Sequence, residues 1–289
     1  MVLVHPDALR TSGSVGGRRR GILTKRGTPR VVAAAEPQDA PSQADGSGTL
    51  AVATWNICSG RNLGLESALR AMASMAVGIC LLTETKLTDR IYTRKSSGYE
   101  VVATNAVSKS QGGVALCWRS SESYEVEETR ECGPNVITFE LVTGEDRFYV
   151  VGCYIPPSDR VTLERVRSAW ANCPKGCIPM LLGNLNVNLE SPRDERDEEI
   201  AEECGFRGLT DMSQHFAQRH RRLMQGRWTW RMVRRGRVIS SRPDYFLARE
   251  KDRCRFQNVA FRMPRHHDSD HRAIVATLYA RGPRKLKRY

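Results

Sequence analysis

Two short apolar runs with one amphipathic helix between them restrict the fold more than any other feature of this chain. Leu50-Ala51-Val52-Ala53-Thr54-Trp55-Asn56-Ile57 has the pattern of a buried strand and brings Asn56 near its end. Leu65, Leu69, Met72 and Ala76 recur at helical spacing, which predicts a helix over 64–76. Gly78-Ile79-Cys80-Leu81-Leu82-Thr83 is a second buried strand, and Glu84 stands where it stops. Strand, helix and strand in that order form a crossover unit of a sheet with parallel strands, so the fold class is α/β.

The next 50 or so residues change character. Short alternating runs at Glu100–Ala103, Gly113–Trp118, Tyr124–Thr129, Val136–Leu141 and Phe148–Tyr154 are separated by turn residues, and they predict a meander of mostly antiparallel strands. A helix fits Thr162–Ala171. The apolar run Pro179–Leu182 then empties into Gly183-Asn184-Leu185-Asn186, and Glu195–Cys204 reads as an acidic surface helix. Arg227–Arg231 with Val238–Ser240 suggests a hairpin. Further strands are expected at Arg242–Leu247, Phe256–Met263 and Arg272–Tyr279. No internal repeat is visible in the text of the sequence, so any symmetry must be structural.

Composition bears on the ends and the compartment. Residues 1–49 are rich in Gly, Ser, Ala and Pro and carry seven Lys/Arg against four Asp/Glu, including Arg18-Arg19-Arg20. They are expected to be a disordered basic tail and linker, and the cluster reads as a solvated face, a nuclear address or a nucleic-acid contact. Residues 281–289 add five Lys/Arg and no acid, a second basic tail, which leaves 50–280 as the folded domain. The formal charge of +13 points to a polyanionic partner. Nine cysteines without paired spacing, and no secretory signal, predict reduced thiols in a nuclear or cytoplasmic protein that is not secreted. No apolar run is long enough to span a bilayer, so no membrane partner is expected.

Six strand ends carry polar groups: Asn56, Glu84, Tyr154, Asn184 with Asn186, Asp244, and Asp270 with His271. Taken singly, each has an ordinary reading as a capping, packing or solvated residue. Taken together they are the residue types that hold a metal, a phosphate and a water.

The blocks carrying these residues are Thr54-Trp55-Asn56-Ile57, Leu82-Thr83-Glu84-Thr85-Lys86, Gly152-Cys153-Tyr154-Ile155-Pro156-Pro157, Leu182-Gly183-Asn184-Leu185-Asn186, Trp228-Thr229-Trp230, Arg242-Pro243-Asp244-Tyr245-Phe246 and Ser269-Asp270-His271. As an ordered set over about 50–280 they resemble the endonuclease/exonuclease/phosphatase superfamily, in particular its apurinic-endonuclease-like branch. The run from Gly152 to Trp230 looks most like the endonuclease domain of LINE-type (non-LTR) retrotransposons. The resemblance implies a four-layer sandwich, two mixed β-sheets face to face and flanked by helices. Such elements continue into a reverse transcriptase, a domain absent from this chain, which is expected to be a monomeric domain, either a stand-alone copy or a remnant.

The resemblance also implies roles. Glu84 would be the principal ligand of Mg²⁺ (or Mn²⁺), with Asn56 at the metal or phosphate and Asp270 as an outer or alternative metal ligand. His271 would bond a phosphate oxygen, with Asp244 setting its tautomer. Tyr154 would donate to phosphate, and Asn186 would orient water and phosphate. Trp230 would wall the nucleotide pocket, and Arg227, Trp228 and Arg231 beside it would contact DNA. The departure is Asn184, where the family has Asp. An amide cannot take up a proton near neutral pH, so DNA nicking is expected to be weakened by a factor of about 10²–10⁴. The alternatives are a catalytically impaired nucleic-acid-binding module and, further off, a phosphatase of the same superfamily. Residues 214–265 hold 15 Lys/Arg against 3 acids, interleaved with Phe216, Trp228, Trp230, Tyr245, Phe246, Phe256 and Phe261, which predicts a basic aromatic face for DNA.

Overall fold

The computed structural model describes residues 48–121, 123–218, 228–265 and 267–280. The expectations for both tails and for Arg227 lie outside the described residues, except that Thr49 already belongs to the first strand. In chain order the elements begin with β1 (Thr49–Asn56), α1 (Gly64–Ser74), β2 (Ile79–Thr83), β3 (Ile91–Ser96), β4 (Tyr99–Ala103), β5 (Val114–Trp118), β6 (Glu125–Glu131) and β7 (Val136–Thr143). Then come β8 (Asp146–Tyr154), α2 (Arg160–Ala171), β9 (Ile178–Asn184), α3 (Glu195–Phe206), β10 (Leu209–Asp211) and α4 (Met212–Gln218). The last part holds β11 (Trp230–Arg234), β12 (Arg237–Ser241), β13 (Asp244–Arg249), a 3₁₀ turn at Glu250–Arg255, β14 (Phe256–Arg262) and β15 (Ala273–Tyr279).

The strands form two large mixed sheets. One has the order β14-β15-β1-β2-β5-β4-β3, the other β10-β13-β9-β8-β7-β6, and β11-β12 stand apart as a two-stranded ribbon. Three apolar clusters define the layers. Val52, Leu81, Leu116 and Ile274 of the first sheet meet Phe139, Val150, Leu182 and Phe246 of the second in a core between the sheets. Leu65, Leu69 and Met72 of α1 cover the outer face of the first sheet. Leu163, Val166 and Trp170 of α2, with Ile200 of α3, cover the outer face of the second. The result is the expected four-layer α/β sandwich, because each amphipathic helix has one apolar stripe and each central strand is apolar on both sides. At Gly152 of β8 the two sheets come so close that a Cβ would collide with the Leu81 side chain.

The sequence-level meander divides between the sheets: β3 to β5 close the first and β6 to β8 open the second. The two sheets also share a plan. β1-α1-β2 and β8-α2-β9 are each a parallel crossover. The C-terminal ends of these four strands lie where β13 and β15, antiparallel to β9 and β1, begin.

The basic aromatic face is corrected by burial. Phe216, Phe246 and Phe256 are core residues between the sheets, and Tyr245 packs in the outer core. β13 is buried on both faces, with Phe246 turned to the core between the sheets and Tyr245 to the outer core, and Phe216 lies on α4. All nine cysteines are free. Among the described residues, no helix is long and apolar enough to cross a membrane.

Candidate functional site

Strand register gathers the polar strand ends into one connected network. Asn56 pairs with Thr83 in the parallel ladder, so Glu84 follows one residue beyond. Tyr154 and Asn184 are register partners between β8 and β9, and Asn184 is in turn opposite Asp244 on β13. His271 immediately precedes β15, whose Ile274 pairs with Thr54. Every one of the eight residues expected to be catalytic therefore sits at the same edge of the sandwich.

Local chemistry aims them. Gly183 has φ 136°, and a Cβ there would run into the Cys153 carbonyl, so only glycine fits before Asn184. Asn184 is 1% exposed; its Oδ1 accepts from Asn186 N–H at 2.9 Å, and its Nδ2 donors have no partner. Asn186 Nδ2 donates to the Ile155 carbonyl at 3.0 Å. Asn56 Oδ1 accepts from Cys58 N–H at 2.9 Å, while its Nδ2 faces Glu84 Oε1 at 3.3 Å. Lys86 Nζ lies 3.2 Å from the other Glu84 oxygen. Cys58, Glu84, Lys86 and Asn186 all have φ between 53° and 56°. Such left-handed non-glycine residues gather at functional sites, because the surrounding structure must hold them there at a cost of about 1–3 kcal/mol each.

Tyr154 bonds to Glu84, Gln111 and Asn186; burial first, and then the Glu84 carboxylate, raise its phenol well above the usual range, so it remains a donor. His271 Nδ1 is 2.7 Å from Asp244 Oδ2. Burial alone would lower the imidazolium pKa, but Asp244, followed by Asp270 and Glu84, outweighs it and raises it above 6.5. Asp270 accepts from Trp230 Nε1 at 2.7 Å and from the Cys58 thiol at 3.0 Å. Burial and then the Asp270 bond push that thiol up to about 12, so it is protonated at neutral pH.

The β11-β12 ribbon is anchored at the same place. Trp230 bridges to His271, Arg231 N–H donates to the Asp270 carbonyl, and Arg272 N–H donates to the Thr229 carbonyl. From this anchor Arg231, Arg234, Arg235 and Arg237 extend as exposed residues. Trp228 is not a bare aromatic: the Arg272 and Arg231 guanidinium carbons stand 3.6 and 5.2 Å from its ring centre.

Several positioning residues escape sequence reasoning. Arg196 of α3 donates to the carbonyls of Asn186, Leu185 and Pro156 at 2.9–3.2 Å, clamping the loops after β8 and β9. Its only textual signal is a cation within an acidic helix. Ser269 Oγ donates to the Asn56 carbonyl at 2.6 Å and accepts from His271 N–H at 3.0 Å, tying the β1 end to the β15 start. Cys58 could have been suspected only from its place two residues after Asn56.

Replacing Asp244 by Asn is expected to lower the His271 midpoint in metal-free protein, because the strongest opposition to burial is then lost and only Asp270 and Glu84 still favour the charged ring. An imidazole NMR titration reads this directly. The sign for stability follows. The charged pair helps the fold below the unfolded histidine pKa, and that help is lost as pH rises through the raised folded value. An unchanged midpoint would show that Asp244 does not set it.

The fold defined by these layers is shared with AP endonucleases. The enzyme of Leishmania major is 18% identical over 81% of this chain and 89% of its own, with a TM-score of 0.62. That of Archaeoglobus fulgidus is 20% identical over 79% and 99%, with a TM-score of 0.59. The endonuclease domain of TRAS1, a telomere-specific non-LTR retrotransposon, has the same fold at 18% identity over 83% and 100%, with a TM-score of 0.59. No protein-family model and no curated protein matches the sequence.

Proposed function

We propose that the protein is a DNA-directed phosphodiesterase site of the retrotransposon-endonuclease kind, with turnover weakened at Asn184. The observation that carries the reading is the linkage of all six polar strand ends into one network with an arginine ribbon anchored on it. Hydrolysis of a phosphodiester needs dense negative charge neutralised and a water aimed in line.

A Mg²⁺ ion suits the donors here: Glu84 offers a part-exposed carboxylate that already faces the ammonium of Lys86. When bound, the ion would supply charge neutralisation at the phosphate. Glu84 would hold it, with Asn56 fixing the Glu84 carboxylate and Asp270 as a further oxygen ligand. His271, held by Asp244, presents Nε2–H to a phosphate oxygen. Tyr154, kept protonated, donates to phosphate or to the leaving oxygen. Asn186 positions the water. Asn184 adds an unpartnered amide donor, which favours an anion but cannot accept the water's proton. A two-stranded ribbon is of a size that a DNA groove admits, and its four exposed arginines meet phosphates.

Duplex DNA binding is expected to weaken with salt, with a log–log slope of about −3 to −4 from the ribbon alone. Arg234→Ala with Arg237→Ala should reduce the slope by about 2 without changing sequence preference. Fluorescence anisotropy across a salt series reads the slope, and relaxation of supercoiled plasmid with Mg²⁺ or with chelator reads nicking. A slope near zero would refute the DNA face; release of inorganic phosphate from small esters without nicking would turn the reading to a phosphatase.

A further inference from the structure

Cys58 Sγ, an Asp270 carboxylate oxygen and a His271 ring nitrogen all lie within 4.8 Å of one another. Sγ is 3.0 Å from Asp270 Oδ1, and His271 Nε2 is 3.9 Å from the same oxygen. Ligand atoms around a tetrahedral zinc are roughly 3.3–3.7 Å apart, given bond lengths of about 2.0–2.3 Å. The two separations from Asp270 Oδ1 lie a few tenths of an ångström to either side of that range.

Each donor is also aimed from behind. Asp244 occupies Nδ1 of His271 and leaves Nε2 to ligate. Trp230 Nε1 occupies Oδ2 of Asp270 and leaves Oδ1. The turn in which Cys58 N–H bonds Asn56 Oδ1 holds the thiol toward Asp270. Outer partners of this kind, a carboxylate behind a histidine above all, orient the ligands of protein zinc sites. One thiolate and one carboxylate also balance a dication. A sulfur ligand is foreign to a hard cation such as Mg²⁺ and suits a soft or borderline one.

We infer that Cys58, Asp270 and His271 form a three-ligand site for a thiophilic divalent cation of the zinc class, which shares Asp270 with the hard-cation position at Glu84. On binding, the Cys58 S–H bond breaks, a metal–sulfur bond forms, and the proton passes to solvent. No oxidation state changes. The fourth position is left to water or an anion. Occupation removes His271 Nε2 from the phosphate and Asp270 Oδ1 from the Glu84-held cation, so the zinc-class ion restrains the phosphodiesterase; this second half rests on the function proposed above, whereas the binding does not.

The test uses the full chain, stripped of metal and without DNA. Titration with Co²⁺ is expected to develop a thiolate-to-cobalt charge-transfer band at one equivalent, which Zn²⁺ then bleaches. Cys58→Ser should abolish the band and weaken Zn²⁺ binding at least tenfold, while Cys254→Ser, at the exposed cysteine, should alter neither. A missing band, or one that survives Cys58→Ser, overturns the site. Cadmium NMR on the unaltered protein gives a reading free of any folding defect: a resonance from one sulfur ligand supports the site, and one from oxygen and nitrogen alone overturns it. In the nicking assay with Mg²⁺, micromolar Zn²⁺ should inhibit the natural protein, and the ratio of rates with and without Zn²⁺ should return toward one in Cys58→Ser. Equal inhibition of both overturns the regulatory half. A protein that takes up Zn²⁺ but never nicks refutes the nuclease and leaves the metal site standing.

Discussion

Replacing Asn184 by Asp is expected to raise Mg²⁺-dependent nicking of plasmid DNA by about 10²–10⁴-fold, the usual worth of a general base. The geometry is ready for the change. Asn184 Oδ1 already accepts the Asn186 N–H, and a carboxylate oxygen inherits that bond. The other amide position carries a donor without a partner, so exchanging it for oxygen removes an orphaned N–H rather than breaking a contact. Asp244 is the register partner of Asn184 on β13, which sets two carboxylates side by side. Like charges in a buried site raise one pKa, and a raised carboxylate is a better base near neutral pH. The same pairing should cost stability and weaken DNA binding, because a new negative charge faces phosphate. The natural protein is therefore expected to bind DNA more tightly than the Asp variant while cutting it more slowly. Asn184→Ala separates the effects: it should not restore nicking. Equal nicking by the natural protein and the Asp variant would sink this account of the site.

The largest loss of stability is expected at Arg242. This guanidinium is buried where β13 begins, paired with Asp211 and with Glu190, and it donates to Ser213 Oγ at 2.7 Å. It also lies 5.1 and 5.6 Å above the rings of Tyr245 and Phe261. Arg242→Leu leaves the buried Asp211 carboxylate without its cation. Removing one member of a buried pair costs about 3–5 kcal/mol, which corresponds to a fall in Tm on the order of 10 °C for a domain of this size. Glu190 is at the rim, so Glu190→Gln should cost less than about 1 kcal/mol. Adding Asp211→Leu to Arg242→Leu should recover much of the loss, since replacing both charges by apolar groups is often neutral. Urea unfolding of the natural protein, Arg242→Leu, Asp211→Leu and the double variant measures the coupling. Additive losses would show that the pair is not the source. The consequence reaches function, because Arg242 and Pro243 lead directly into Asp244, and the Pro243 carbonyl accepts from Leu185 N–H at 2.8 Å beside Asn184.

Much of this was legible before any coordinates, and what was missed shares a cause. β3 reads Ile-Tyr-Thr-Arg-Lys-Ser and is mostly exposed at a sheet edge, so it lacks the apolar alternation that marks a strand. β10 has only three residues, too few for periodicity. The acidic helix was visible, but not that its Arg196 turns inward to three carbonyls. Burial of Phe216, Tyr245, Phe246 and Phe256 was also hidden in a stretch that looked basic and aromatic throughout, because a count of residues carries no side.

The sequence by itself determined the strands and helices with strong periodicity, the two crossover units and the identity of the polar strand ends, because local pattern and turn chemistry act over a few residues. Tertiary structure alone decided how the meander divides between two sheets, and that Asp244 meets His271, Trp230 meets Asp270, and Cys58 joins them. Those meetings span from 27 to 212 residues of chain. They arise from sheet register and from the core between the sheets, which no local pattern encodes.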